Sequence, residues 1–226
     1  WMTLVRTAFL SVVAAVLQTL SCTLTAYGLA RFKFKGRGLV FGCVIMVLLI
    51  PPQVVMASLY MNFAHLNPLG LASLFGVGRI DISNGILPFI LLSATAVAFK
   101  NSLYIYMLRQ FFRGLPTEIE EAGMIDGSSH MGIFFRLMLP NAVPMMVTII
   151  LFAFSWQWTD NYYISVFMPT NKYLANMVSL LATISSDDYS LSLLTNAGVI
   201  LLILPILFIF LIYSFNRKRI AKNKSF

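Results

Sequence analysis

"EEAGMIDGSSHMGIFFRLMLP", residues 120–140, is a polar, glycine-punctuated stretch in a chain otherwise apolar enough for lipid. Of 226 residues, 59% are hydrophobic and 11% charged, and the mean hydropathy is +0.83. Soluble domains carry about 25% charged residues, so the composition points to an all-α, polytopic membrane bundle. Within 114–140 the sequence predicts two short helices. Pro116 sets the entry, and Thr117 to Glu120 has capping-box spacing. Glu118, Glu120 and Glu121 crowd a first turn, where the helix dipole favours anions. Asp126-Gly127 closes the first helix, because glycine tolerates left-handed backbone. Ser128 or Ser129 caps a second helix that runs to Leu139 and stops at Pro140. By local pattern the segment is either a solvated linker or a rigid docking knob, with Ala122 and Gly123 as a small-residue face.

Five flanking segments are long enough to cross a bilayer core, which takes about 20 apolar residues. They are 7–30, 39–64, 86–108, 142–158 and 197–215. Pro51-Pro52 interrupts the second and Pro205 the fifth, each removing backbone donors and kinking the helix. Arg31, Lys33, Lys35 and Arg37 lie between spans one and two, and Arg109, Arg113 and Arg136 between three and four. Arg217, Lys218, Arg219, Lys222 and Lys224 form a basic tail, 217–226, after span five. Twelve of the 16 Lys and Arg thus share one side, which the positive-inside rule makes cytoplasmic. The opposite loops, 65–85 and 159–196, hold only Arg79 and Lys172, with Asp81, Asp160, Asp187 and Asp188. This puts Trp1 outside, so an earlier, inward-starting span and a six-span parent are expected. The net charge of +8 therefore reflects topology, not nucleic-acid binding.

Polar residues inside spans are the other informative set. Ala14, Gln18, Cys22 and Ala26 recur every four residues, giving span one a small stripe with one amide. Ser93, Lys100, Asn101 and Tyr104 share a face of span three. Lys100 is nine residues from Arg109, about 13 Å along a helix. So deep a cation faces a cavity or a paired partner, which leaves open an ion pair with a neighbouring subunit or a place on a solute path. Trp156, Trp158, Tyr162 and Tyr163 cluster where span four leaves the membrane, as an interface belt, a sugar-stacking surface or an outer gate. Cys22 and Cys43 lie in apolar runs and His65 and His130 stand apart, so neither a disulfide framework, a metal site nor a catalytic constellation is indicated.

Glu121-Ala122-Gly123, three residues, Gly127, nine residues, then Leu137-Met138-Leu139-Pro140 resembles the E-A-A-x3-G-x9-I-x-L-P loop of permease subunits in bacterial ABC importers. Gly123 replaces the second Ala and Leu137 the Ile; glycine loosens a helix by up to about 1 kcal/mol. "AYGLARFKFKGRG" (26–38), "IPPQ" (50–53), "LYIYMLRQFFRGLPTEIEEAGMIDG" (103–127) and "WQWTDNYY" (156–163) are similar to the maltose-permease-like carbohydrate branch. In the last, Thr159 stands for Asn, and the tail lacks the glycine-rich ending of some members. The resemblance implies a type I importer bundle in which a second homologous permease subunit completes the pathway. An extracellular solute-binding lipoprotein would deliver the carbohydrate. An ATPase dimer holding ATP and Mg2+ would dock the loop through Glu120, Glu121, Ala122, Gly123, Asp126, Gly127, Leu137, Leu139 and Pro140. Gln18, Pro51, Pro52, Ser93, Lys100, Asn101, Tyr104, Trp156, Trp158 and Asp160 are candidates for the substrate path or gate. No cofactor is expected in this chain, which has no phosphate-binding G-x-x-x-x-G-K-[ST] loop.

An ion-coupled secondary transporter would need carboxylates inside its spans, and every Asp and Glu falls in a loop. An intramembrane hydrolase lacks its G-x-S-x-G motif and any Ser/His pairing within spans. An ABC permease for an amino acid, peptide or phosphate would share the loop, and the 30–38 and 156–160 stretches tilt the choice toward carbohydrate.

Overall fold

The structure, a computed structural model, describes residues 2–65, 81–98, 100–169, 173–184 and 188–222. Trp1, Arg79, Lys172, Asp187 and Lys224, used in the topology argument, lie outside them. The fold is all-α. Helix α1 (Met2–Arg31) has neither proline nor charge in its middle and runs unbroken for 30 residues. At about 1.5 Å per residue it exceeds a ~30 Å hydrocarbon core. Ala14, Gln18, Cys22 and Ala26 all face inward, and small side chains there let neighbouring helices approach closely. The Thr19 and Thr23 hydroxyls donate to carbonyls one turn back, at 2.7 and 2.6 Å, so their burial leaves no orphan donor.

The expected second span, 39–64, is not one kinked helix. Helices α2 (Arg37–Leu49) and α3 (Pro52–Ala64) meet at 109°. Ile50 is extended, as a residue before proline must be, and two consecutive prolines remove the donors that would carry a helix across the join. The expected third span, 86–108, is also two pieces, α4 (Leu87–Ala94) and α5 (Asn101–Gly114). At 8 and 14 residues, neither reaches across a bilayer core alone. Between them Ala96 has φ +60°, and the Leu92 carbonyl accepts from both Val97 and Ala98 N–H. Lys100 therefore caps a helix start instead of sitting mid-helix.

Helices α6 (Glu118–Ile125) and α7 (His130–Ile133) form a hairpin. A π-helical turn, Phe134–Met138, joins α7 to α8 (Leu139–Trp158). Pro140 was expected to stop the second short helix, and it does not. The Leu139 N–H reaches back five residues to the Phe134 carbonyl, which wide-turn geometry places the proline where its missing N–H is tolerated. The Asn141 amide donates to the Leu137 carbonyl at 2.8 Å. The result is one helix, His130–Trp158, 29 residues long.

The stretch 159–196, expected as a loop, carries α9 (Tyr162–Phe167), α10 (Leu174–Ile184) and the start of α11 (Asp188–Lys222). Met2–Arg31, His130–Trp158 and Thr195–Ser214 are, among the described residues, long and apolar enough to cross a membrane, with the bent α2–α3 pair as a fourth candidate. α1 is the central element, packed by α4, α5 and α8. One core cluster joins Tyr27, Leu108, Phe112, Phe134, Met138, Ile149 and Trp158. A second joins Leu10, Met56, Phe63, Phe89, Ile164 and Phe167.

Candidate functional sites: a hairpin and a cavity

At the hairpin, α6 ends in a Schellman turn: Ser128 N–H donates to the Gly123 carbonyl and Gly127 N–H to that of Met124, both at 3.0 Å. Gly127 supplies the left-handed residue, φ +76°. Ser129, not Ser128, caps α7, its hydroxyl accepting from Gly132 N–H at 3.1 Å. The Thr117 capping box does not form. Thr117 adopts helical backbone, and its carbonyl, not its side chain, takes the N–H groups of Glu120 and Glu121.

Two residues expected at a docking surface face inward. Gly123 is buried, and a Cβ there would lie 3.0 Å from Ile133 Cγ1 and Leu137 Cδ1. The close approach its glycine permits is between the hairpin's own arms. Glu120 turns toward the end of α1, where Arg31 Nε lies 3.4 Å from its Oε1, the side chains 8% and 13% exposed respectively. Arg31 Nη2 also donates to the Leu115 carbonyl at 2.7 Å. Glu121, Ala122, Asp126, Gly127 and Pro140 are exposed, whereas Leu137 and Leu139 are half-buried against the first core cluster. The hairpin also exposes apolar side chains: Ile125 is 86% exposed, and Met124, Met131 and Phe135 are exposed as well. Sequence reasoning missed these four, although their signal, apolar residues flanking the turn glycine, was present.

Arg109, counted as a topology marker, is buried at the same end. Its Nε donates to the Leu29 carbonyl at 3.3 Å and its guanidinium lies 3.7 Å from the Phe41 ring. A cation at a helix C-terminus satisfies carbonyls that have no partner within the helix.

The second feature is a cavity of about 250 Å³ where the two core clusters meet. Of the expected path residues, it brings together Gln18, Pro52, Ser93, Lys100, Tyr104, Trp156 and Asp160. Tyr162 and Tyr163, expected as a belt, stacking surface or gate, also line it, as do Gln53, Gln157 and Phe89, which the sequence did not single out. Gln18 Nε2 donates to Ser93 Oγ at 3.4 Å, Gln157 Nε2 to Asp160 Oδ2 at 3.4 Å, and Tyr163 N–H to Asp160 Oδ1 at 3.2 Å. Lys100 Nζ lies 3.6 Å from the Trp156 ring centroid. Asp160 sits just past the end of α8, and burial pushes its carboxyl up to about 6 against the opposing pull of the Tyr163 and Tyr162 N–H groups, Gln157 and Lys100. Three expected path residues fall elsewhere. Trp158 is 2% exposed and packs on Phe154 at 5.5 Å, because it lies on the opposite side of α8 from Trp156. Asn101 is fully buried beside Cys22, whose Sγ is 3.8 Å from its carbonyl. Pro51 stands at the α2–α3 bend outside the lining.

Polar amides, one carboxylate, one ammonium and several aromatic rings meet in one cleft, the mix of apolar surface and a few placed polar groups found in small-molecule sites. Known proteins agree with a membrane transport subunit. The chain is 30% identical over 203 residues to an osmoprotective compounds uptake permease of Synechocystis, covering 89% of this chain and 62% of that one. It is 28% identical to an alpha-glucoside transport system permease of Rhizobium meliloti, over 88% of this chain and 50% of the relative. An arabinooligosaccharides transport system permease of Halalkalibacterium halodurans is 26% identical, over 94% and 69%. The chain thus spans between half and about two thirds of the length of these relatives. Residues 22–222 match the family described as "Binding-protein-dependent transport system inner membrane component". With nearly the whole chain matched, and helices of membrane length to match it, this protein belongs to that family of multi-pass inner-membrane transport components.

Proposed function

We propose that the chain forms half of the translocation pathway of an ATP-driven importer for a sugar or oligosaccharide. A second homologous permease subunit supplies the other half, and an external binding lipoprotein delivers the solute. The hairpin, the 31–37 loop and the C-terminal tail face the cytoplasm, where two ATPase subunits bind ATP and Mg2+. No catalytic step belongs to this chain. The α-glucoside and arabinooligosaccharide permeases among its relatives support the carbohydrate class.

The observation that carries the coupling is the single helix His130–Trp158. One end is the hairpin, with Ile125 and Met131 exposed at its tip; the other presents Trp156 to the cavity. A continuous helix of 29 residues is a rod of about 44 Å. When ATP draws the ATPases together, the docked hairpins follow as rigid bodies and the rods tilt, exchanging inward- and outward-facing states. Such a switch works through contacts that differ between the two states. Exposed ion pairs contribute about 0–1 kcal/mol each, so apolar packing of the tip dominates docking and Glu121 tunes it.

In proteoliposomes, the assembled complex should take up α-glucosides or arabinooligosaccharides only with ATP inside and binding lipoprotein outside. Gly127→Asp should abolish uptake while the chain remains inserted. Uptake by the chain alone, driven by an ion gradient without ATP, would overturn the proposal.

A further inference from the structure

The cavity contains a contact that the transport reading does not require. Trp156 is the broadest ring in the lining and 53% exposed, the natural platform for a sugar ring, whose C–H face stacks on indole. That face is already occupied. Lys100 Nζ stands 3.6 Å above it, held by attraction between the ammonium and the ring's negative face. Among the described residues Lys100 has no ion pair within 4 Å; the one found is Arg31–Glu120. Yet Asp160 lines the same cavity and interacts electrostatically with Lys100. Lys100 caps the start of α5 next to the turn at Ala96, so its side chain is anchored at the break between α4 and α5.

Building on the sugar reading above, we propose that Lys100 is a resident placeholder: in the empty carrier it covers the Trp156 face, and one pyranose ring takes that face when the ammonium withdraws toward Asp160. The cavity, about 250 Å³, lies at the small end of ligand sites, which run about 300–1,000 Å³, a size suited to a single ring. Gln18, Gln53 and Gln157 are then the hydroxyl partners. The device keeps the cavity filled and polar between turnovers and weakens the hold on a bound ring, as a path that must release its cargo requires.

The test uses the detergent-purified complex without its binding lipoprotein, carrying Trp1→Phe and Trp158→Phe so that Trp156 is this chain's reporter. Tryptophans of other subunits are subtracted with a matched Trp156→Phe complex. Methyl α-D-glucopyranoside is the probe. Lys100→Met should alter Trp156 emission before any sugar is added, and should tighten sugar binding about two- to tenfold. Lys100→Arg, which keeps the cation over the ring, should bind no tighter than wild type. Unchanged sugar-free emission in Lys100→Met would overturn the placeholder contact whatever sugar does. Weaker binding in Lys100→Met would make Lys100 a sugar ligand, and equal binding a bystander; either overturns the inference while the importer reading stands. If neither complex binds the sugar although the emission responds to Lys100→Met, the pyranose assignment fails with the sugar reading.

Discussion

Arg31 closes α1 onto the hairpin: its Nε lies 3.4 Å from Glu120 Oε1, and its Nη2 donates at 2.7 Å to the carbonyl of Leu115, just before α6. Both side chains are largely buried, so the pair acts as a strut and not as a surface contact. Removing one partner of a buried pair costs about 3–5 kcal/mol, while replacing both with apolar groups is close to neutral. Arg31→Met should therefore lower the unfolding temperature and uncouple ATP hydrolysis from uptake. Arg31→Met/Glu120→Met should recover most of the stability. A double variant as unstable as the sum of the two single changes would mean that the residues act independently.

Gly123 is wedged where an added methyl would sit 3.0 Å from Ile133 and Leu137. Alanine gains about 1 kcal/mol of helix propensity and must displace two flexible side chains by a few tenths of an ångström. Gly123→Ala should leave thermal stability within about 1 kcal/mol of wild type. Gly123→Val forces the arms apart and should cost about 1–3 kcal/mol. A valine variant as stable as wild type would show that the arms have slack.

Gly127 differs in kind, since nothing stands within 4 Å of its would-be Cβ and only φ +76° restricts it. Left-handed backbone costs an ordinary L-residue about 1–2 kcal/mol, and Asn least. Gly127→Val should reduce uptake far more than Gly127→Asn, with equal membrane insertion of both. Equal uptake by the two would remove backbone strain as the cause.

What was legible in the sequence followed from strong local punctuation. Gly127 marked the hairpin by its tolerance of left-handed backbone, Ser128 or Ser129 by a side-chain cap that Ser129 supplies, and Pro140 by its missing N–H, although a π turn let the helix run through it. The break at 95–100 was hidden, because neither proline nor glycine marks it and the turn rests on the Leu92 carbonyl accepting twice. Glu120 and Trp158 were misplaced for a common reason. Each has a near twin, Glu121 and Trp156, and only three-dimensional packing decides which member faces out.

The hairpin tip offers the most direct check of docking. Ile125 and Met131 are exposed apolar residues on a polar hairpin, and central apolar anchors dominate interface energies. Ile125→Asp and Met131→Asp should each weaken ATPase co-purification by about tenfold or more while thermal unfolding of the membrane bundle is unchanged. Full retention of the ATPase in both would move docking to another surface.

Asp160 gives a pH signature. Burial holds its carboxyl near 6 in the folded protein, against about 3.9 in an unfolded chain. Between those values the folded state keeps a proton that the unfolded chain has released, so stability rises as pH falls from 7 toward 4 and is lowest where Asp160 is charged. Lys100, Gln157 and the Tyr162 and Tyr163 N–H groups all oppose the shift without cancelling it. Asn cannot ionise but keeps an oxygen for the Tyr163 N–H. Asp160→Asn should therefore raise the unfolding temperature at pH 7 and flatten its dependence between pH 7 and 5, measured on the complex in detergent. Parallel profiles for the two proteins would show that Asp160 is solvated in the assembled pathway and carries no penalty there.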